Sequence, residues 1–153
     1  MLQYLQKLYS KERALESYRL RVYFEDTDCG GIVYHTNYLK YCERARSELF
    51  FAKNMQPFVE QSGFVLKHAE MDFVASAHLG DMLEVRNEIL ECKNVSIKLK
   101  QNVYRIYDAL AHSLSDALVF SAVITLAFVD VKKGKPCKIP TFMREILEGK
   151  SLS

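Results

Sequence analysis

No stretch of this chain approaches the roughly 20 consecutive apolar residues that a membrane-spanning helix requires. No integral membrane segment is therefore expected. The segment from Met1 to Tyr18 also lacks the apolar run and small-residue cleavage site of a secretory leader, because Lys7, Lys11, Glu12 and Arg13 interrupt it. The cytosol is the expected compartment. Charge of one sign is missing too: 21 Lys and Arg stand against 19 Asp and Glu, a net +2. So small an excess gives no global field for nucleic acid, and nucleic-acid binding is not expected. The four cysteines, Cys29, Cys42, Cys92 and Cys137, show no CxxC or zinc-like spacing. Free thiols are expected, with no metal and no cofactor. There is no internal repeat, low-complexity tract or interdomain linker.

What is present is one ordinary domain. At 153 residues, with 49% hydrophobic and 26% charged content, the chain can bury one real core but not two. Leu2, Leu5, Leu8 and Leu15 recur near helical spacing, which predicts a helical extension over residues 1–17 ahead of a single domain over 18–153. From Tyr18 to Glu25 the period becomes two: Tyr18, Leu20, Val22 and Phe24 share one face of a predicted strand. Asn37 to Asn54 is the strongest helix, with Asn37 as its expected N-cap. Tyr38, Tyr41, Cys42, Ala45, Leu49 and Ala52 form its apolar arc, and Pro57 blocks its continuation. Strands are predicted at 64–74, 82–92, 95–107 and 118–130, with turns at Gly80-Asp81, Lys93-Asn94 and Asp108 to Asp116. After the break at Lys132 to Pro136, Thr141 to Glu148 reads as a C-terminal helix behind Pro140. This order of elements predicts an α+β fold, one antiparallel sheet of about five strands with a long helix across it.

The chemistry concentrates between the first strand and the long helix, in Glu25-Asp-Thr-Asp-Cys-Gly-Gly-Ile-Val-Tyr-His35. A carboxylate on a loop beside a helix N-terminus can act as base or nucleophile on a carbonyl, while backbone amides hold the oxyanion. Asp28 is the best candidate for that carboxylate, although an aspartate before Gly30-Gly31 also suits a plain capped turn. Asp26, two residues away, is expected to fix the loop by hydrogen bonds. The backbone N–H of His35 lies where the helix amides converge on an anion. A Cys29–His35–Asp28 arrangement is disfavoured, because a thiol nucleophile normally meets its partners through the fold. Glu43 is expected to pair with Arg46, since a charge near an apolar face needs a partner. Lys98 and Lys100 share one strand face, where most such groups are solvated and a few hold phosphates. The nine Tyr and nine Phe read mainly as core.

The segment Tyr23-Phe-Glu-Asp-Thr-Asp-Cys-Gly-Gly-Ile-Val-Tyr-His-Thr-Asn-Tyr-Leu-Lys-Tyr-Cys-Glu-Arg-Ala-Arg46 closely resembles the signature of the 4-hydroxybenzoyl-CoA thioesterase family. Within it, the match is to the acyl-CoA thioesterase branch associated with the bacterial Tol-Pal system. With the elements that follow, the resemblance covers about residues 18–148. It implies a hotdog fold, an antiparallel sheet wrapped around the Asn37 to Asn54 helix. It also implies homodimers or tetramers, with active sites at the subunit interface. The family's catalytic aspartate falls on Asp28 and its oxyanion-binding amide on His35. Gly31, Val33, Tyr34 and Glu43 are then expected around the substrate, and Lys98 and Lys100 are candidates for the CoA phosphates. The expected substrate is acyl-CoA, or an acyl group on a carrier protein. The residues 1–17 precede the usual start of such proteins, and Cys29 stands where a small residue or proline is usual. Two other readings remain: a hotdog 3-hydroxyacyl thioester dehydratase pairing His35 with Glu43, and a non-catalytic acyl-binding or scaffold protein.

Overall fold

The computed structural model describes residues 17–149. The helix expected over 2–17 falls outside them except for Ser17, which begins a strand. In chain order the elements are β1 (Ser17–Arg21), a 3-10 turn (Phe24–Asp26), α1 (Asn37–Phe51), β2 (Phe58–Val59) and β3 (Ser62–Phe73). They continue with β4 (Met82–Cys92), β5 (Ser96–Asp108), β6 (Ser113–Asp130), β7 (Lys135–Pro136) and α2 (Thr141–Leu147). All strands join one antiparallel sheet in the order β1-β4-β5-β6-β3-β2, with β7 added to β6. The sheet therefore has seven strands rather than about five. The two extra ones, β2 and β7, are two residues each, too short to show a period in sequence.

The sheet is built by alternation. In β5 the residues Ile97, Leu99, Gln101 and Val103 are buried, and in β6 so are Phe120, Ala122, Ile124, Leu126 and Phe128. Against this face lies α1, which buries Tyr38, Tyr41, Cys42, Ala45 and Phe50. The Tyr38 ring stacks on Phe120 with centroids 4.9 Å apart and planes within 5°. Each large apolar side chain so buried contributes about 1.5–3 kcal/mol, which makes the helix–sheet contact the main source of stability. Phe50, not Ala52, closes the helix arc, because α1 ends at Phe51 and leaves Ala52 exposed.

Three sequence expectations are corrected at element ends. The first strand stops at Arg21, so Phe24 leaves the predicted face and is 80% exposed. The cause is local: Tyr23 donates its N–H to Asp26 Oδ2 at 2.8 Å, and Asp26 donates back to Tyr23 O at 3.0 Å, curling the chain. Asn37 is the first residue of α1 rather than its cap, and its Nδ2 donates to Asp26 O at 2.8 Å. The turn expected from Asp108 to Asp116 occupies only residues 109–112. Asp108 Oδ1 accepts the N–H of Leu110 and of Ala111, both at 3.0 Å, and His112 takes a positive φ of 51°. That compact turn lets β6 begin at Ser113.

Candidate active site

The loop between β1 and α1 is a tight hairpin. Asp28 donates its N–H to Ile32 O at 3.0 Å, and Gly31 donates to Asp28 O at 3.1 Å. Closing so short a turn needs a left-handed residue, which Gly31 supplies with φ of 72°. The Asp28 carboxylate stands exposed at the rim. Its Oδ1 accepts Gly30 N–H at 3.2 Å, and its Oδ2 has no partner among the described residues. Cys29 beside it is an exposed free thiol, while Cys42 is buried and burial pushes its thiol up to about 12.

Asp26 does what the sequence predicted of it. Its side chain holds Tyr23, and its carbonyl accepts both Tyr34 N–H at 2.9 Å and Asn37 Nδ2. It thereby ties the loop's start to the first turn of α1. Beneath it lies Tyr41, whose buried hydroxyl has no hydrogen-bond partner among the described residues. Burial first, and then the Asp26 carboxylate, push this phenol above its ordinary value.

His35 occupies the turn before α1. Its exposed ring leans against Tyr34, centroids 4.6 Å apart, and meets Phe73 edge-on at 6.2 Å. Among the described residues its backbone N–H donates to nothing, so it is free to bind a ligand oxygen at the positive end of the helix. The loop therefore carries an exposed carboxylate and an unused amide seven residues apart in the chain. Tyr34 is exposed beside them, and the Gly31 carbonyl accepts Leu79 N–H at 3.1 Å. Val33 is different: it is 4% exposed and packs in the core, so its side chain offers a ligand no surface.

Glu43 lies elsewhere. It is eight residues beyond His35 in the chain and six beyond Asn37, the first residue of α1, or about 9 Å along the axis from the helix start at 1.5 Å per residue. It accepts the Ser47 hydroxyl at 3.0 Å, while Arg46 donates to Gln101 Oε1 at 2.9 Å. The expected Glu43–Arg46 ion pair is thus replaced by two separate contacts, because Arg46 reaches inward to the sheet. Both residues, with Ser47 and Phe50, wall a cavity of about 150 Å³ whose other side is apolar, including Phe64, Leu66, Ile97 and Leu99. Lys98 and Lys100 alternate with the cavity-lining Ile97 and Leu99, so they project from the opposite face of the sheet. The fold does not bring them to the loop.

Sequence reasoning missed Gln101, Asp81 as more than a turn residue, and Phe73 at the edge of His35. Gln101 carried a readable signal, a polar residue in the inward register of Ile97, Leu99 and Val103. Asp81 and Phe73 carried none, since their importance comes from segments distant in the chain. Among the described residues no cluster of His, Cys, Asp and Glu could hold a metal ion, and no helix is long and apolar enough to cross a membrane.

Several known proteins are similar to this chain in sequence and in fold. An acyl-CoA thioesterase, YbgC, of Helicobacter pylori is 44% identical over 129 residues, covering 84% of this chain and 97% of that protein. The protein of the same name from Haemophilus influenzae is 37% identical over 128 residues, 81% of this chain and 88% of the other. Among solved structures, a hypothetical protein of Aquifex aeolicus superposes with a TM-score of 0.71 at 27% identity, covering 86% of this chain and 98% of that one. Such neighbours share the hotdog fold, an antiparallel sheet curled around a helix. The sequence profile of the thioesterase-like superfamily matches residues 22–147, from the buried Val22 just after β1 to the last residue of α2, and this chain belongs to that superfamily.

Proposed function

We propose that this protein hydrolyses acyl-CoA thioesters, with Asp28 acting on the thioester carbonyl and the His35 N–H holding its oxygen. The observation that carries the reading is the loop itself: an exposed Asp28 with an unused Oδ2, close in the chain to an unused amide at the start of α1. In one route Asp28 attacks the carbonyl carbon, the carbonyl electrons move onto oxygen, and collapse expels the CoA thiolate to leave a mixed anhydride that water cleaves. In the other, Asp28 takes a proton from water as it attacks, and the thiolate leaves to be protonated. Both end in a free acid and a thiol. The family resemblance and the relatives named acyl-CoA thioesterase support the substrate class. The apolar cavity beyond Glu43 suits the acyl group.

The dehydratase reading is weaker, because Glu43 lies about 9 Å along α1 from the helix start that His35 precedes, and its carboxylate is bonded to Ser47 rather than to His35. A hydrolysis screen over acetyl-, butyryl-, octanoyl-, palmitoyl- and benzoyl-CoA, with a matched acyl-carrier-protein thioester, tests the proposal. Release of free thiol from at least one substrate is expected. Tight binding of all without turnover would instead favour an acyl-binding scaffold.

The active unit is a homo-oligomer. Beyond the two residues paired with β2, the outer edge of β3 has no partner among the described residues, and it exposes Val65, Leu66, Met71 and Phe73. Long apolar edges of this kind invite another strand, and a second copy is the natural one. Leu66 lines the cavity, so a copy joined there would border it. Sedimentation at micromolar concentration should give a dimer or tetramer. An active monomer under those conditions would sink this part of the reading.

A further inference from the structure

The Asp28 hairpin is not held in place by its own turn alone. Its inner side is laced to residues 76–81: Val33 donates to Ala77 O at 2.9 Å, Leu79 donates to Gly31 O, and Ile32 bridges His78. That second loop is in turn fastened from beneath by a buried side chain, Asp81, which is 0% exposed. Asp81 Oδ2 accepts the His78 N–H and Oδ1 accepts the Ala109 N–H, both at 2.8 Å. One carboxylate thus ties the 76–81 loop to the β5–β6 turn. Its backbone extends the knot, because Asp81 O accepts Val22 N–H and Gly80 donates to Val22 O, both at 2.9 Å.

A buried carboxylate needs compensation for its charge. Arg105 supplies it, with Nη1 3.7 Å from Asp81 Oδ2, and the same nitrogen donates to Ser76 O at 2.9 Å. His78 Nδ1 lies 3.9 Å from that carboxylate oxygen. Both side-chain contacts are longer than hydrogen bonds, whereas the short bonds go to backbone amides. The carboxylate is therefore spent on orienting main chain. From α1, the Tyr38 hydroxyl accepts Ala77 N–H at 3.3 Å and closes the same assembly against the helix.

We propose that Asp81, neutralised by Arg105, is a positioning residue for the reaction: it sets the height and angle of the Asp28 hairpin relative to the His35 amide through the 76–81 loop. The inference rests on the assignment of Asp28 as the acting carboxylate. Asp81 is wholly buried, so it acts through the loop and not on substrate directly. Misplacing a reacting group by about 1 Å can cost on the order of a hundredfold in rate, so the effect belongs in kcat and not in KM. Asp81→Asn keeps the shape but turns an amide NH2 toward one of the two backbone N–H groups, which loosens that end of the knot.

The test measures Asp81→Asn, Asp28→Asn and Ile139→Ala in parallel on the best substrate of the acyl-CoA screen, well below each melting temperature. Ile139 is buried and bonded to Asn94, in the turn at the other end of β4 and β5, so its loss lowers stability without reaching the hairpin. Asp81→Asn should lower kcat at least about tenfold with KM changed less than about threefold, while Ile139→Ala keeps near-normal kcat. Hydrogen exchange at the Asp28 and Val33 amides should quicken in Asp81→Asn, with the Ile97 and Ile124 amides unchanged. If Asp81→Asn does not fold, Arg105→Gln reads the same linkage and should show the same split of kcat from KM. Full kcat in a folded variant, or a loss equal to that of Ile139→Ala, overturns the proposal. Should Asp28→Asn itself stay active, the catalytic assignment fails and this inference with it; an inactive Asp28→Asn beside a fully active Asp81→Asn removes the positioning role alone.

Discussion

Replacing Asp28 by Asn is expected to lower turnover at least about a hundredfold, the lower end of what loss of a general base costs. The physical basis is that Asn keeps the shape and can still accept Gly30 N–H, but it neither takes a proton at neutral pH nor attacks a carbonyl well. The hairpin survives the change, because its closing bonds run through the backbone of Asp28, Gly31 and Ile32. Melting temperature and substrate affinity should therefore stay close to those of the parent while kcat falls. The His35 amide would remain, and an oxyanion contact of that kind is worth about 2.7–4 kcal/mol where it has been measured. Some residual rate above the uncatalysed reaction is thus expected. Cys29→Ser is the matching control, and its activity should stay within a few-fold of the parent. Hydrolysis at the parent rate by a well-folded Asp28→Asn protein would refute the mechanism; a thousandfold loss in Cys29→Ser would hand the nucleophile's role to the thiol.

The second large effect is on stability. Gln101 is 0% exposed between sheet and helix, and it satisfies three neighbours at once. Its Oε1 accepts from Arg46 Nη1 at 2.9 Å, and its Nε2 donates to Cys42 O at 2.9 Å and to Asn87 Oδ1 at 2.6 Å. Gln101→Leu fills similar space but strips a hydrogen bond from a largely buried guanidinium and from a buried carbonyl. Each such loss costs about 1–3 kcal/mol, more for a charged group. Against a modest gain from the added apolar surface, the net loss should be about 2–4 kcal/mol. For a domain of this size that is roughly a 5–15 °C fall in melting temperature. Adding Arg46→Met to Gln101→Leu should recover part of it, since removing both members of a buried polar pair is far less costly than removing one. A single-variant shift below about 1 °C, or strict additivity in the double variant, would show that the network does not bear on stability.

The interval between Asp28→Asn and Asp81→Asn separates two kinds of residue. Both sit in turns and both read in sequence as aspartates within two residues of a glycine. One is exposed with an oxygen to spare, and the other is buried with both oxygens committed to backbone. Only burial distinguishes a group that can meet a substrate from one that holds the group that does.

Much of this protein is written in local sequence. The alternation in β4, β5 and β6 and the helical arc of α1 are periodic over ten or more residues, and the structure keeps them within a few residues of the expected ends. The loop chemistry is local as well: the Asp28 turn and the amide of His35 lie within one short segment, as does the division of labour with Asp26. Two misjudged element ends are local too: Phe24 leaves the predicted face because Asp26 curls the backbone, and β6 starts early because Asp108 compresses its turn. What the sequence could not supply are the features made by segments far apart in the chain. Arg46 turns from Glu43 to Gln101 because the sheet offers a buried acceptor 55 residues away. Lys98 and Lys100 fall on the face opposite the cavity, and the Asp81 knot joins β1, the 76–81 loop and the β5–β6 turn. Periodicity specifies which side of an element is apolar. Which polar side chains meet beneath it depends on the crossing of helix and sheet, and that geometry exists only in the folded chain.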